Sequence, residues 1–298
     1  MSRYSIKDLE QLSGIRAHTL RIWEQRHNLL SPKRTTTNIR YYDVDDLKYL
    51  LKIAMLNKNG YRISQIASME EEELSQSYLD LVDSDSRHEF HISMLTTAMI
   101  EFDEIKFEEI METCMAKEGF ETTIIDIVYP FLCRIGSLWL SGNINPAQEH
   151  FVTNLIRRKL IVAIDGLGCQ PPTDAKHFLL FLPDRERHEL GLLFSDYLLR
   201  KRNHKVTYLG ISTPADNVIT IVNEQGVDYV FSIFTSGVRT SQYEKVITKL
   251  DSQIKEAKIF LTGGQIAKYG LPEGLVRTKA LGRVADLFKE GALTGQSS

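Results

Sequence analysis

The most informative stretch of this chain is His177-Phe-Leu-Leu-Phe-Leu-Pro-Asp-Arg-Glu-Arg-His-Glu-Leu-Gly191. Its first six residues are apolar apart from the histidine and have the length and composition of a buried strand. A polar segment containing Glu186, His188 and Gly191 follows directly. Ligands of parallel α/β sheets bind in the loops that follow the carboxyl ends of the strands. The stretch therefore predicts a buried strand whose following loop presents a histidine to a ligand.

The residues after 175 alternate between strand candidates and helix candidates. The strand candidates are 177–182, 205–209, 227–233 and 258–262, and the helix candidates are 190–202, 214–225 and 240–250. Such alternation predicts a Rossmann-like parallel sheet wound with helices. We assign residues 175–298 to this domain, because Gln170-Pro-Pro-Thr-Asp174 reads as a boundary before it.

Residues 88–170 have helical periodicity throughout and form the second predicted domain. Apolar residues recur at spacings of three and four in 90–102, 105–114, 122–140 and 149–167, and Pro146 suits the first turn of the fourth helix. Four helices of this length predict a four-helix bundle. The three cysteines are far apart in the sequence, and we expect Cys114, Cys133 and Cys169 to be reduced core residues.

Residues 1–73 predict a small basic domain that ends at the acidic run Glu70–Glu73. Within residues 1–69 there are 12 Lys and Arg against 6 Asp and Glu, whereas the remainder has 24 against 33. Ser5 and Gly14 are the expected cap and end of a first helix, and a second helix spans 18–26. Pro32 and a polar tip predict a β-hairpin wing, followed by a helix that Asp43 caps and by a further turn of helix over 63–69. Together these elements predict a winged helix-turn-helix with a positive charge suited to phosphate contact.

The composition gives no sign of a membrane or secreted protein. Hydrophobic residues make up 43% and charged residues 25% of the 298 positions, as in ordinary globular proteins. We see no apolar leader at the start and no run of 18 apolar residues. We expect a cytoplasmic protein that does not bind a membrane.

The first domain resembles the DNA-binding domain of MerR-type regulators. The matching residues are Tyr4-Ser-Ile6, Thr19-Leu-Arg-Ile-Trp-Glu-Gln-Arg26, Leu30-Ser-Pro-Lys-Arg34 and Arg40-Tyr-Tyr-Asp43. The resemblance implies a double-stranded DNA operator as partner. It assigns His18, Thr19 and Arg21 to major-groove and phosphate contact, and Arg34, Arg40 and Tyr41 to the DNA backbone. An alternative reading places Arg21, Trp23 and Glu24 in a local packing and salt-bridge unit.

The third domain resembles a cobalamin-binding domain through three spaced elements. They are Glu186-x-His188-x-x-Gly191, Ser232-Ile-Phe234 and Gly263-Gly264, with 40 and 28 residues between them. The resemblance implies that His188 is the lower ligand of cobalt and that Glu186 orients its ring. It also assigns the remaining residues to the cofactor pocket: Gly191, Gly210, Thr213, Ser232, Gly263 and Gly264. Glu186 replaces the usual Asp and Phe234 the usual Leu, which alters the carboxylate reach and one pocket wall.

The bundle resembles the upper-face cap of the CarH/LitR family of cobalamin-dependent MerR photoreceptor regulators. Trp139 is followed, after nine residues, by Glu149 and His150, which cover the upper axial group in that family. The alternative for Trp139 is a core residue near a helix end. Leu140 departs from the family's light sensors, which carry at this position a histidine that ligates cobalt after light breaks the Co–C bond. A two-histidine product state through this position is therefore not expected.

These features predict a multidomain α and α/β protein with a winged helix-turn-helix head, a four-helix bundle cap and a Rossmann-like cobalamin domain. Its expected function is non-enzymatic: repression of transcription, with assembly to a dimer or tetramer controlled by adenosylcobalamin, and release by light or by cobalamin supply. Methylcobalamin and hydroxocobalamin are alternative forms. Two further functions stay open: an empty pocket that binds a protein antagonist, and a corrinoid methyl-carrier module.

Overall fold

The structure is a computed structural model that describes residues 3–80, 87–140, 145–168, 170–235, 240–282 and 286. Its backbone contacts divide the chain into two compact units, residues 1–153 and 154–298. The first unit contains the head and most of the helical segment, and the second contains the sheet. The three domain ranges expected from the sequence stay predictions.

The first helix of the head begins and ends at the residues that the sequence predicts. Helix α1 (Ile6–Ser13) follows Ser5, whose hydroxyl accepts the N–H of Asp8 at 3.3 Å. The Asp8 carboxylate accepts the N–H of Ser5 in return. This reciprocal pair satisfies two donors that a helix start leaves without intrahelical partners. Gly14 ends the helix at φ +74°, in the left-handed region that glycine adopts without strain.

The helix-turn-helix and its wing are confirmed. Helix α2 (Ala17–His27) buries Leu20 and Trp23. Strands β1 (Lys33–Arg34) and β2 (Arg40–Tyr41) then pair antiparallel and form the hairpin. Helix α2 and the wing both belong to the first unit.

Three further helices complete the head, and one of them is absent from the sequence prediction. Helix α3 (Val44–Lys58) begins after Asp43, which forms a capping box with Asp46, and α4 spans Ile63–Ile66. The acidic run then opens helix α5 (Glu71–Asp80). Carboxylates stabilise a helix start by their interaction with its dipole. The sequence predicts only a domain boundary at this acidic run, whereas the structure shows that the run also begins a helix.

All four predicted helices of the middle segment are present. The elements are α6 (Arg87–Glu101), α7 (Glu104–Glu118), α8 (Phe120–Thr122), a π-helix (Thr123–Val128), α9 (Tyr129–Leu140) and α10 (Pro146–Asp165). Pro146 begins α10, as expected. The sequence shows neither α8 nor the π-helix, because a pattern of apolar residues does not separate a π turn from an α turn over six residues.

Ion pairs join the head to the helical segment within the first unit. Lys48 on α3 pairs with Glu101 at the end of α6. Ten residues later on α3, Lys58 lies 3.3 Å from the Glu89 carboxylate, which also accepts a 2.8 Å hydrogen bond from Arg134 on α9. The contacts hold α3 against α6 at two places.

The cysteine prediction is correct for one residue and wrong for another. Cys114 is buried on α7, whereas Cys133 is exposed on α9. The error arises because Phe131 and Ile135, two residues to either side, occupy the buried face of this helix. Cys169 lies outside the described residues.

The second unit contains the predicted parallel sheet. Its strands are β3 (His177–Phe181), β4 (Lys205–Gly210), β5 (Tyr229–Ile233), β6 (Lys258–Thr262) and β7 (Thr278–Ala280), in the order β4-β3-β5-β6-β7, and every pair is parallel. The helices between them are α11 (Leu190–Lys201), α12 (Ala215–Gln225), α13 (Thr240–Gln253) and α14 (Gly264–Tyr269). The four predicted strands and three predicted helices are confirmed. The short elements α14 and β7 have too few apolar residues to be recognised from the sequence.

The sheet is buried on both faces. Every residue of β3 and β5 is buried, as expected for central strands of a parallel sheet that helices cover on each side. One apolar cluster contains Leu179 and Phe181, and a second contains Phe178 and Leu180. Alternate residues of β3 thus enter different cores. Among the described residues, no helix combines the length and the apolar character needed to cross a bilayer.

The buried carboxylate of Asp251 fixes the segment that leads into β7. It accepts the N–H groups of Val276 at 2.9 Å and Arg277 at 2.8 Å and the hydroxyl of Thr278 at 2.7 Å. Burial alone would raise the pKa of Asp251, but these hydrogen bonds outweigh it and lower the pKa below its ordinary value. The charged form therefore stabilises the fold, and this contribution is lost as the pH falls through the lowered pKa.

We expect Asp251→Asn to lower the free energy of unfolding at pH 7 by about 1–3 kcal/mol, because an amide NH₂ would face N–H donors. The difference from the wild type should shrink as the pH falls from about 4, the ordinary pKa of an aspartate, through the lowered pKa of Asp251. Urea unfolding at pH 7 and pH 3 measures both effects. Asp216→Asn is the matched control, because Asp216 pairs with Lys249 but is 72% exposed. A difference that does not change with pH would contradict the assignment.

Candidate functional site

Backbone hydrogen bonds fix the loop after β3 to the end of β4. The N–H of Leu182 donates to the carbonyl of Gly210 at 2.8 Å, and the N–H of Thr213 donates to the carbonyl of Leu182 at 2.8 Å. The register between the strands shifts by one residue at this point, where Gly210 has φ +77°. Two of the predicted site residues, Gly210 and Thr213, thus lie beside the loop that carries His188.

The Glu186 carboxylate organises this loop. Its side chain is completely buried, and one oxygen accepts three hydrogen bonds: from His188 Nδ1 at 2.5 Å, from the N–H of His188 at 3.1 Å and from the N–H of Arg187 at 3.0 Å. The other oxygen accepts the N–H of Thr235, just beyond β5, at 2.7 Å. The carboxylate thus joins the ends of two adjacent strands and holds the His188 ring.

The environment keeps Glu186 ionised. Burial alone would raise its pKa, but the hydrogen bonds from the His188 ring and from the backbone of His188 and Thr235 lower the pKa to about 2. An ionised carboxylate next to Nδ1 requires a proton on that nitrogen, which places Nε2 on the far side of the ring. The His188 side chain is 59% exposed. The ring is therefore held on one side and open to solvent over much of its surface.

Two small residues near the loop have close neighbours within the protein. A Cβ atom on Gly191, the second residue of α11, would lie 2.8 Å from Cδ1 of Ile233 at the end of β5. The Ser232 hydroxyl is completely buried and donates to the carbonyl of Phe181 at 2.8 Å, which links β5 to β3. A side chain at position 191 would thus displace the end of the Ile233 side chain, and the Ser232 hydroxyl has a fixed backbone partner.

The glycine pair after β6 faces the end of β5. Gly263 has φ +112°, and a Cβ atom there would lie 2.4 Å from the carbonyl oxygen of Phe234. A Cβ atom on Gly264 would lie 3.3 Å from the carbonyl oxygen of Thr235. Thr235 also donates its N–H to Glu186. The loop of Glu186 and His188, the end of β5 and the glycine pair therefore meet at the carboxyl ends of the strands.

The expected cap residues belong to the first unit. Glu149 and His150 lie in the first turns of α10, with His150 Nδ1 3.0 Å from the Glu149 carboxylate. Glu149 also accepts a 3.0 Å hydrogen bond from Thr153, and the His150 side chain is 73% exposed. Trp139 and Leu140 are the last two residues of α9, and their side chains lie outside the described part of the structure. Their role as a cap stays a prediction.

The predicted DNA-contact residues lie on accessible parts of the head. His18 and Arg21 are exposed on α2, where Thr19 is half-buried. Arg34 and Arg40 are exposed on the wing strands, which they share with Tyr41. The guanidinium of Arg3 lies 4.9 Å from the centre of the Tyr41 ring, so this ring packs against a cation.

Part of helix α2 has a packing role. Trp23 is 6% exposed, which agrees with the alternative reading of this residue as core. The Glu24 carboxylate accepts a hydrogen bond from the buried Tyr42 hydroxyl at the end of the wing. Trp23 and Glu24 therefore hold α2 in place, whereas Arg21 on the same helix is exposed.

Two features of the site are absent from the sequence prediction. The first is the N–H of Thr235, which anchors Glu186 but, as a backbone atom, leaves no sequence signal. The second is Glu189, whose carboxylate accepts hydrogen bonds from Arg157 on α10 and Tyr208 on β4. Only the position of Glu189 next to His188 could have drawn attention to it, because its partners are 32 and 19 residues away in sequence.

Two parts of the chain match models of known families. Residues 4–73 match the family described as MerR HTH family regulatory protein. Residues 92–163 match the family described as B12 binding domain. The first match covers the head and the second covers most of α6 to α10.

Two similar proteins come from Myxococcus xanthus. The chain is 25% identical to the HTH-type transcriptional repressor CarH over 271 residues, which span 89% of this chain and 90% of that protein. It is 26% identical to the HTH-type transcriptional repressor CarA over 212 residues, 70% of this chain and 69% of that protein. Both similarities extend beyond any single domain.

A solved structure shares the fold. The monomethylamine corrinoid protein of Methanosarcina barkeri aligns with 65% of this chain and 93% of its own length, at a TM-score of 0.51 and 14% identity. At this identity, the likeness supports the helical and parallel-sheet architecture and no function.

Proposed function

We propose that this chain, which joins a MerR-type helix-turn-helix domain to a B12-binding domain, is a transcriptional repressor whose operator binding is controlled by cobalamin. The two family matches support DNA binding and B12 binding in one chain. Two similar proteins that carry the name of transcriptional repressor support the direction of control.

The observation that carries the proposal is the His188–Glu186 pair at the carboxyl edge of the sheet. This pair suits the cobalt of a corrin, because a neutral imidazole is a common metal ligand. The carboxylate behind the imidazole fixes its tautomer and raises its basicity. Gly191 in the first turn of α11, Ser232 on β5 and Gly263 after β6 lie near this loop and present little side-chain bulk. These residues would hold the cofactor, with His188 as the lower metal ligand. Bound cobalamin would supply a cobalt ion that exchanges ligands.

The family resemblance assigns the upper face of the cofactor to Trp139, Glu149 and His150. We propose adenosylcobalamin as the ligand, because a tryptophan and a polar pair suit a bulky group with an aromatic base and hydroxyls. Leu140 cannot ligate a metal. We therefore propose that cobalamin supply, without a light-formed second histidine ligand, sets the state of the regulator.

Control of assembly is the proposed link between the pocket and DNA. Paired helix-turn-helix heads bind two half-sites related by two-fold symmetry, so the DNA-bound form is at least a dimer. Linking heads raises the effective concentration of the second head at its half-site. Loss of assembly on loss of cobalamin would therefore weaken operator binding strongly. A tetramer would strengthen the same effect.

DNA binding and size, measured with and without cobalamin, test the proposal. The probe is a duplex selected from a random pool by the full chain loaded with adenosylcobalamin in the dark. We expect at least tenfold tighter binding and a larger assembly for the loaded chain than for the apo chain. Equal affinity and equal size in the two states would overturn cobalamin control. A parallel sample exposed to green light should keep both properties, and their loss would overturn the assignment of cobalamin supply as the signal.

Arg34→Ala should weaken DNA binding to a similar extent for every sequence. It should also reduce the slope of log affinity against log salt concentration by about one, because one phosphate contact is lost. Fluorescence anisotropy over a range of salt concentrations measures the slope. Lys245→Ala is the control, because Lys245 is an exposed cation on α13, outside the head. An unchanged slope for Arg34→Ala would remove Arg34 from the interface.

A further inference from the structure

Glu189 binds two other elements of the second unit. Its side chain is only 15% exposed, although it directly follows His188. One carboxylate oxygen accepts a hydrogen bond from Arg157 Nε at 2.8 Å, and the other accepts the Tyr208 hydroxyl at 3.1 Å. Arg157 belongs to the second half of α10 and Tyr208 to β4. The start of α11 is thus tied to a helix and to an edge strand.

The Tyr208 hydroxyl acts as a donor in this contact. Burial raises its pKa, and the neighbouring Glu189 carboxylate raises the pKa further. The hydroxyl therefore keeps its proton and can donate to Glu189. The same strand end provides the Gly210 carbonyl that accepts from Leu182 at the beginning of the loop. β4 thus holds the loop near both of its ends.

His188 lies between two anchored carboxylates. On its N-terminal side, Glu186 is fixed by the N–H of Thr235 at 2.7 Å. On its C-terminal side, Glu189 is fixed by Arg157 and Tyr208. A backbone held on both sides of one residue limits the directions in which that side chain can point. The ring orientation of His188 therefore depends on both anchors.

Stability alone is a weak explanation for the Arg157 contact. The Arg157 side chain is 46% exposed, and ion pairs with an exposed partner contribute about 0–1 kcal/mol. A site at which a loop must hold a metal ligand gains more from such a contact, because loss of outer-shell partners costs about 10–100-fold in metal affinity. The position of the contact next to His188 favours this second role.

We infer that Arg157, Glu189 and Tyr208 are positioning residues for His188, and that they hold its imidazole in the orientation that ligates the cofactor. The inference rests on the proposed function of His188 as the lower cobalt ligand. None of the three residues needs to touch the cofactor in this role. Glu186 orients the ring directly, whereas this trio fixes the backbone that carries it.

The test compares Glu189→Gln, Arg157→Ala and Tyr208→Phe with the wild type in the full chain. The first readout is the ¹⁵N-histidine NMR spectrum of the apo chain, in which we expect one sharp Nδ1-protonated His188 in the wild type and broadened or multiple signals in the variants. The second is electron paramagnetic resonance of the cobalt(II) form, whose hyperfine pattern reports an imidazole ligand. We expect about tenfold weaker cobalamin binding and a smaller ligated fraction in the variants.

Two further variants separate positioning from general loss of stability. Arg157→Lys keeps a cation that can reach Glu189, so it should restore most of the ligated fraction. Lys245→Ala removes an exposed cation of α13 and should behave like the wild type. Wild-type His188 signals and a wild-type ligated fraction in Glu189→Gln and Arg157→Ala would overturn the inference. If apo signals change but wild-type cobalt carries no imidazole, the cobalt-ligand role fails and the orientation of His188 by the trio stands.

Discussion

His188→Ala should lower the affinity for adenosylcobalamin by about 100-fold or more and abolish imidazole ligation of the cobalt. Outer-shell partners of metal ligands contribute about 10–100-fold in affinity, and removal of the ligand itself should cost at least as much. The His188 side chain is 59% exposed, so its removal leaves no large cavity and the fold should persist. Titration followed by absorbance in the dark measures the affinity and the ligation state together.

His204→Ala is the matched control for this variant. His204 lies directly before the amino end of β4, whereas His188 lies in the loop after the carboxyl end of β3. Because the two strands are parallel, the two histidines lie at opposite ends of the strands. Replacement of His204 should leave the spectrum and the affinity unchanged. Retention of both properties by His188→Ala would show that the cofactor is ligated elsewhere or that it keeps its own lower ligand.

Gly263→Ala should lower the free energy of unfolding of the second unit by at least about 3 kcal/mol. The alanine Cβ would lie 2.4 Å from the Phe234 carbonyl oxygen, a separation that real structures do not allow. Relief requires movement of the β5 end, which carries the Thr235 N–H that anchors Glu186. Strained backbone alone costs about 1–3 kcal/mol, and the steric overlap adds to it. Urea unfolding measures the loss, and cobalamin binding should fall with it.

Gly270→Ala separates the cost of the strained backbone from the cost of the steric overlap. Gly270 has φ +73°, and a Cβ atom there would have nothing within 4 Å. Its replacement should cost about 1–3 kcal/mol, because only the backbone conformation, with φ +73° and ψ −165°, opposes it. Equal losses for Gly263→Ala and Gly270→Ala would contradict the role of close packing at the β5 end.

Local sequence signals predicted the regular elements of this fold well. Ser5, Asp43 and Pro146 mark helix starts by chemistry that acts within a few residues, and the structure has helices at each. The uninterrupted apolar runs of β3 and β5 likewise indicate strands buried on both faces. Such signals are local and therefore readable from one sequence.

The elements that the sequence missed lack such signals. β7 is three residues long and only its first residue is buried, so neither length nor apolar pattern identifies it. Cys133 has apolar neighbours but lies on the exposed face of α9. A prediction of burial from apolar context fails when the residue is out of phase with the buried face of its helix.

The candidate site likewise has contacts that follow from nearby residues and contacts that depend on the folded chain. Glu186 and His188 are two residues apart, and their contact follows from the loop that they share. The contact of Glu189 with Arg157 and Tyr208 depends on where α10 and β4 lie, which only the folded chain specifies. Gly263 was predicted from motif spacing, whereas its physical reason, the Phe234 backbone, is visible only in the structure.

The most direct test of the central claim is cobalamin retention by the full chain. The protein is mixed with excess adenosylcobalamin in the dark, passed through a size-exclusion column, and followed by absorbance of protein and corrin. We predict that about one cobalamin elutes with each chain, and that its spectrum shows histidine ligation that His188→Ala removes. Elution of the wild-type chain without corrin absorbance would contradict the claim that this sheet binds cobalamin through His188.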